Sequence, residues 1–396
     1  MLGLARQGEA AAAALERHGV AVVRADRKQG NDADLTLLAG VEVLVKSGGV
    51  PNEVPLAAAA LARGIPVWSD VEVAFRLLRN PFLAVTGTNG KTTTTALLGE
   101  IFRAAGRPAA VAGNIGRAVC SLDGALEPDV WVVCELSSFQ LEHVDRFRAR
   151  VAVLLNLAPD HLDRHGTFEA YRAAKLRVFE NQRPPEDWAV VPRGFRDAPG
   201  RARILEFAAD DPLPAEPRLR GRHNRENAAA ACAAARAVGI RGEAIAEALR
   251  SFPGVPHRLE LVGEVGGVAY VNDSKATNVA AALPAFEAYA DMPLHLILGG
   301  SLKSEPFAPL ADALGSNVQR VYLVGEAADA LALELDRRGA PYERSGDLDT
   351  AVRAAAAAAR AGEVVLLSPA CASYDQFRDF EQRGDRFRAL VRSLAR

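Results

Sequence analysis

The residues Phe82-Leu83-Ala84-Val85-Thr86 run straight into Gly87-Thr88-Asn89-Gly90-Lys91-Thr92-Thr93, and an amphipathic stretch over 91–105 follows. No other feature restricts the fold as much. The short apolar run predicts a buried strand, and 91–105 predicts a helix. A buried strand feeding a helix is the opening move of a parallel α/β sheet. Gly87 and Gly90 let the backbone aim its N–H groups at one point. That point is also a helix N-terminus, where peptide dipoles favour an anion. Lys91 is placed to reach the outer phosphates of a nucleotide, and the Thr92 hydroxyl to bind Mg²⁺. The general pattern G-x-x-x-x-G-K-[ST] requires glycine where Val85 stands, so this is a shorter loop, G-T-N-G-K-T. ATP is therefore expected on Gly87, Thr88, Asn89, Gly90, Lys91, Thr92 and Thr93.

The rest of the chain repeats the strand-then-helix alternation. Strands are expected at 20–24, 41–45, 65–68, 130–134, 151–156, 268–272, 294–298, 320–324 and 363–368, with helices at 8–18, 54–63, 168–181 and 224–238 among others. The stretch 183–222 is rich in Pro, Arg and Asp and predicts only short strand-like pieces. Asn80-Pro81 and Phe252-Pro253-Gly254-Val255-Pro256 read as breaks. They divide the chain into 1–78, 79–253 and 254–396. At 396 residues, two or three domains are expected.

Composition excludes several classes. A net charge of −2 gives no basic field for nucleic acid or an anionic membrane. No apolar run approaches the roughly 18 residues of a membrane span, and Met1–Arg6 lacks the order of a signal peptide. Cys120, Cys134, Cys232 and Cys371 are scattered, which fits free thiols in a reducing cytoplasm.

Around the loop, Glu135 closes the apolar run 130–134. A carboxylate at the C-terminal end of a parallel strand beside a phosphate loop is placed for a metal. Asp160-His161-Leu162-Asp163-Arg164-His165 follows the next strand, and His161 becomes a candidate ligand there. Taken alone, either histidine reads as a loop residue. Only six of the 47 basic residues are lysine. Lys175 is one of them, on a helix whose other basic positions are arginine. Unlike arginine, lysine can lose its proton and take up CO₂, becoming an anionic ligand. Asn224 and Asn227 lie three residues apart on one helix face, either as a helix start or against a nucleotide base.

With these motifs in place, the whole chain resembles the Mur ligase family. The resemblance rests on Gly87–Thr93, Gly113–Gly116, Glu135–Leu141, Asp160–Arg164, Tyr171–Leu176, His223–Asn227, Pro256–Glu260, Asn272–Asn278 and Ser368–Ser373. The segments 272–278 and 368–380 match its D-glutamate-adding members. The resemblance implies an α/β chain of three domains. These are a Rossmann-like domain over 1–78 for the UDP end of the substrate, a P-loop ATPase-like domain over 79–253, and a Rossmann-like lid over 254–396 for the amino acid. It also implies a cytoplasmic monomer acting on UDP-N-acetylmuramoyl-L-alanine and D-glutamate through an acyl phosphate.

The implied site follows the same motifs. Lys91, His161 and Lys175 are catalytic. Thr92, Glu135, His161 and a carbamate on Lys175 hold two Mg²⁺. Asn224 and Asn227 face adenine, and Arg258 and Asp273 face phosphate and ribose. Lys275, Thr277, Lys303, Ser373 and Phe380 line the D-glutamate pocket, and Asn114 and Ser137 the muramoyl-alanine path. Asp26, Arg27 and Ser47 stand where the family contacts UDP. Three departures are visible. The glycine turn Gly3–Gly8 begins at once, so the family's first strand is expected to be missing, and Ser47-Gly48-Gly49 replaces the usual Ser-Pro-Gly. The stretch 183–222 is also shorter than usual. Alternatives are a related ligase with another amino acid, such as a folylpolyglutamate synthase, an ATPase that switches a partner, and a non-catalytic nucleotide binder.

Overall fold

A computed structural model describes residues 1–302 and 306–395. The chain divides into two compact units, Met1–Glu216 with Glu226–Ser251, and Pro217–Arg225 with Phe252–Arg396.

The strands of the first unit are β1 (Leu44–Val45), β2 (Val67–Trp68), β3 (Phe82–Thr86), β4 (Ala109–Gly113), β5 (Trp131–Glu135), β6 (Val151–Leu154), β7 (Trp188–Pro192) and β8 (Arg203–Phe207). The last six form a sheet in the order β4-β5-β3-β6-β7-β8, with every pair parallel. β3 and β6 are buried along their full length, as the unbroken apolar runs require when helices cover both faces. Phe82 packs edge-on against Phe75 and Phe147, with ring centroids 6.0 and 5.5 Å away. The chain leaves β3 for β4 and β5 on one side, then crosses to β6 on the other. This reversal opens a crevice at the C-terminal end of β3, the place where such sheets bind ligands.

Two expectations change here. The stretch 183–222 supplies two full strands, β7 and β8, rather than fragments. β8 reads only as a short piece in the sequence because just its last residue, Phe207, is buried, and Arg203 and Glu206 are exposed. Residues 20–24, in contrast, form no strand. Their neighbour Ala25 makes a bridge with Leu2 instead.

That bridge belongs to a small parallel assembly. Leu2 bridges both Ala25 and Lys46, with Leu2 N–H donating to Val45 O at 2.8 Å and Ala25 N–H to Met1 O at 2.9 Å. β1 pairs with β2 on the far side. Met1–Gly3 thus run as a short stub between Ala25 and Lys46, satisfying backbone groups on both sides.

The second unit holds β9 (Glu260–Val265), β10 (Val268–Asn272), β11 (Leu294–Gly299), β12 (Val318–Val324), β13 (Tyr342–Gly346) and β14 (Val364–Leu367). Their order is β13-β12-β11-β14-β10-β9. β9 runs antiparallel to β10, and the other pairs are parallel. β11 and β14 are fully buried.

Candidate active site

The first-unit crevice collects most of the expected residues. The loop follows β3, and its turn into the helix Lys91–Ala104 is made by Gly90 in the left-handed region, φ 84°. A Cβ on Gly90 would lie 2.1 Å from Asn227 Oδ1, so no side chain fits there and Asn227 packs on the loop. Lys91 Nζ donates to Gly87 O at 2.9 Å and Thr88 O at 2.8 Å, folded back over the loop that it closes. Asn89 N–H donates to Asn156 Oδ1 at 2.8 Å, and Thr88 N–H to Asn156 O at 3.0 Å. Asn156, just past β6, therefore shapes the loop. Its place at a strand end was visible in the sequence, but its task was not.

Lys175 lies on the helix Phe168–Leu176 and is 2% exposed. Its Nζ donates to Gly87 O at 2.7 Å and sits 4.7 Å from the Tyr171 ring centre. Burial first, and Lys91 second, lower its pKa to about 7. Tyr171 Oη lies 2.9 Å from Thr88 Oγ1. Tyr171 opens the Tyr171–Leu176 motif, but its task at Thr88 was not part of that reading; its place one helical turn before Lys175 is a usable signal.

Glu135 ends β5 and is 2% exposed. β4 and β5 pair Gly113 with Glu135, which brings Asn114 Nδ2 to 3.2 Å from Glu135 Oε1. Ser137 caps the short helix Ser138–Leu141 in a reciprocal box with Gln140. His161 adopts φ 51° at the start of the helix Leu162–His165, with its ring 3.4 Å from the Asp160 carboxylate. Among the described residues, no three His, Cys, Asp or Glu side chains gather as a metal cage. What the edge offers is one buried carboxylate, hydroxyls and an imidazole beside a phosphate loop. That donor set suits a hard cation completed by substrate phosphates.

Near the stub, Asp26 accepts from Leu4 N–H at 2.6 Å and Lys28 N–H at 2.8 Å, bonds that hold its carboxyl below the usual range. Ser47 Oγ donates to Gly3 O at 2.7 Å. Both side chains clamp the Gly3–Leu4 turn, while Arg27 is exposed.

In the second unit, Asn224 Nδ2 donates to Arg220 O at 2.8 Å. Asp273 follows β10 and is buried. It accepts from Ser368 Oγ at 2.8 Å and Leu259 N–H at 3.2 Å. Burial raises its carboxyl to about 7, against the opposing pull of these bonds and of Arg258. Lys275 Nζ lies 5.2 Å over the Phe380 ring, and Phe380 opens the helix Phe380–Leu394. Thr277 N–H donates to Lys275 O at 2.9 Å, and Ser373 is buried. Lys303 lies outside the described residues. No described helix is long and apolar enough to cross a membrane.

Comparison with known proteins gives the same outline. Residues 85–197 match the Mur ligase middle domain, and 257–371 match the Mur ligase glutamate ligase domain. The UDP-N-acetylmuramoylalanine-D-glutamate ligase of Anaeromyxobacter dehalogenans is 44% identical over 457 aligned positions, covering 100% of this chain and 97% of the relative. That alignment is longer than the 396 residues here, so the relative carries segments this chain lacks. The enzyme of the same name from Acidobacterium capsulatum is 41% identical, covering 99% of this chain and 95% of its own. Among solved structures, the UDP-N-acetylmuramate-alanine ligase of Thermotoga maritima superposes with a TM-score of 0.62 at 18% identity, over 99% of this chain and 98% of that one. At that identity it speaks for the fold alone. On the two matched domains and the full-length relatives, the chain belongs to the Mur ligase family.

Proposed function

We propose that this protein is an ATP-dependent ligase that adds D-glutamate to UDP-N-acetylmuramoyl-L-alanine in peptidoglycan precursor synthesis. One observation carries the reading. A second lysine, Lys175, is buried on the phosphate loop's own carbonyl beside Lys91. It sits in a chain that aligns end to end with ligases named for that reaction. A nucleotide switch needs the loop, but it has no use for a desolvated lysine there.

Residues 1–78 would bind the UDP end, 79–253 the ATP, and 254–396 the amino acid. The substrate's terminal carboxylate attacks the γ-phosphorus of ATP and ADP leaves, giving an acyl phosphate. The amine of D-glutamate then attacks the acyl carbon. It loses a proton as the amide forms, and inorganic phosphate departs. Lys91 and the loop N–H groups hold the phosphates and offset their charge, which is most of what phosphoryl transfer asks of a protein. Thr92, Glu135, His161 and a carbamylated Lys175 would hold two Mg²⁺, which supply further charge neutralisation. A pKa near 7 supports the carbamate, because only the neutral amine adds CO₂. Asn224 and Asn227 are assigned to adenine, and Arg258 and Asp273 to phosphate and ribose. Lys275, Thr277, Lys303, Ser373 and Phe380 are assigned to D-glutamate, Asn114 and Ser137 to the muramoyl-alanine arm, and Asp26, Arg27 and Ser47 to UDP. A cytoplasmic monomer is the corresponding expectation.

The test is purified protein with ATP, Mg²⁺, UDP-N-acetylmuramoyl-L-alanine and a panel of amino acids. Phosphate release and the product mass are followed together. Product with D-glutamate alone is expected. No product with any amino acid would sink the reading. Phosphate release at the same rate without the UDP-substrate would favour a nucleotide switch.

A further inference from the structure

His161 poses a physical problem. It is a non-glycine residue with φ 51°, and about half of its side chain is exposed (49%). Such a ring has several open rotamers unless neighbours restrict it. A metal ligand needs one.

Besides the Asp160 carboxylate, 3.4 Å from the ring, the neighbours are aromatic. The Phe139 ring lies 4.9 Å from His161 at a tilt of 54°. On Phe139, the His165 ring stacks nearly parallel, at 5.3 Å and 10°. The Arg164 guanidinium sits 4.9 Å from the same phenyl ring, and its Nη2 donates to Val50 O at 2.6 Å. His165 is pinned by its Nε2, 3.0 Å from Ser138 Oγ, and meets Tyr171 edge-on at 5.5 Å. Tyr171 in turn bonds Thr88 of the phosphate loop. A continuous run of contacts therefore leads from the loop, through Tyr171, His165 and Phe139, to His161.

We infer that Phe139 and His165 are positioning residues that set the His161 ring relative to the phosphate loop. The inference rests on the ligase reading above for what His161 does, and on ring geometry alone for how it is held. The parallel stack assigns His165 its aromatic face as the working part, with the Ser138 contact secondary.

Four variants in full-length protein test this: Phe139→Leu, His165→Gln, His165→Phe and, as reference, His161→Ala. Gln keeps a polar contact to Ser138 and loses the ring, while Phe keeps the ring and loses the contact. Two readouts are taken: the ring resonances of His161 in ¹³C-histidine-labelled protein, and kcat and KM with ATP, Mg²⁺ and both substrates. Phe139→Leu and His165→Gln should move the His161 resonances and lower kcat by about tenfold, the scale of one aromatic pair, with KM for D-glutamate unchanged. His165→Phe should keep the wild-type values of both. The inference is overturned if His165→Phe is as impaired as His165→Gln, or if Phe139→Leu leaves the His161 resonances in place. Should Phe139→Leu fail to fold, the His165 pair decides alone. A wild-type protein without ligase product would strike the functional reading and leave the resonance arm to judge the positioning.

Discussion

The C-terminal edges of the two six-stranded sheets solve the same problem with opposite charges. In the first unit a cation, Lys175, is driven down to about 7. In the second an anion, Asp273, is driven up to about 7. Burial is the leading cause in both. The supports differ. Lys175 leans on a backbone carbonyl of the phosphate loop, and Asp273 on the Ser368 hydroxyl and one backbone N–H. A buried charge without a full counter-charge costs stability, which marks such a group as a candidate for completion by something outside the chain. The lesson is that each edge holds a buried ionisable group left to be completed. For Lys175 the proposed complement is CO₂ and then metal, and for Asp273 it is the ribose hydroxyls of the nucleotide, which would donate hydrogen bonds to the carboxylate.

The largest effect should come from breaking the first half. Lys175→Ala is expected to lose at least about a hundredfold in kcat, the scale of losing one charged group in such a site. A short-chain carboxylic acid, added to refill the anion, should restore much of the loss. An unrescued variant, with no carbamate mass on wild-type Lys175, would leave the lysine as a plain cation and end the proposed pairing with metal.

Gly90→Ala sharpens the contrast between backbone and side-chain support. The new Cβ would meet Asn227 Oδ1 at 2.1 Å on a backbone at φ 84°. Calorimetry with a non-hydrolysable ATP analogue should show binding weakened by about tenfold or more. Unchanged affinity would show that the loop does not need its present backbone.

The comparison itself stands on pH. Lys175 titrates near 7 folded, against 10.5 ordinarily, so its cost is complete below 7 and is relieved as pH rises toward 10.5. Asp273 titrates near 7 folded, against 3.8 ordinarily, so its cost is absent below 3.8 and complete above 7. In CO₂-free buffer, the stability gained by Lys175→Met should therefore shrink with rising pH, and that gained by Asp273→Asn should grow. Urea unfolding at several pH values measures both. Slopes of the same sign would break the symmetry.

The smallest change concerns the small sheet of the first unit, where the buried Lys46 leans on Val50 O at 2.7 Å and is lowered only to about 8. Ser47→Ala removes one buried hydrogen bond to Gly3 O and should cost about 1 kcal/mol, with no pH slope between 5 and 9. A slope there would mean that Asp26 or Lys46 is coupled to the turn.

What was legible followed from sequence distance. The phosphate loop, Lys91, Glu135 and Lys175 could be read because each sits on a strand end or helix turn that periodicity reveals. β7 and β8 were legible only as short strand-like pieces. Their flanks carry Pro and Arg, and β8 is an edge strand with a single buried residue. Residues 20–24 looked like a strand because Val20, Val22 and Val23 crowd there, yet what the described residues form nearby is a single bridge from Ala25 to the stub at Leu2. The stack of Phe139 and His165 joins residues 26 positions apart, and no local spacing encodes it. Likewise, Ser47 and Asp26 were marked for a ligand, while the fold already engages both on the Gly3–Leu4 turn.

The outermost strand carries one more consequence. Arg203 of β8 lays its guanidinium 3.8 Å over the Trp188 ring of β7, and Arg196 pairs with Glu206. The open rim of the sheet thus meets solvent as charge on either side of the exposed Ile204, with its indole roofed over. A rim dressed this way is a poor template for a strand from another molecule. Neutralising Arg203 and Glu206 together should leave chemistry at the far crevice intact and show itself in light scattering, as molecules that begin to adhere.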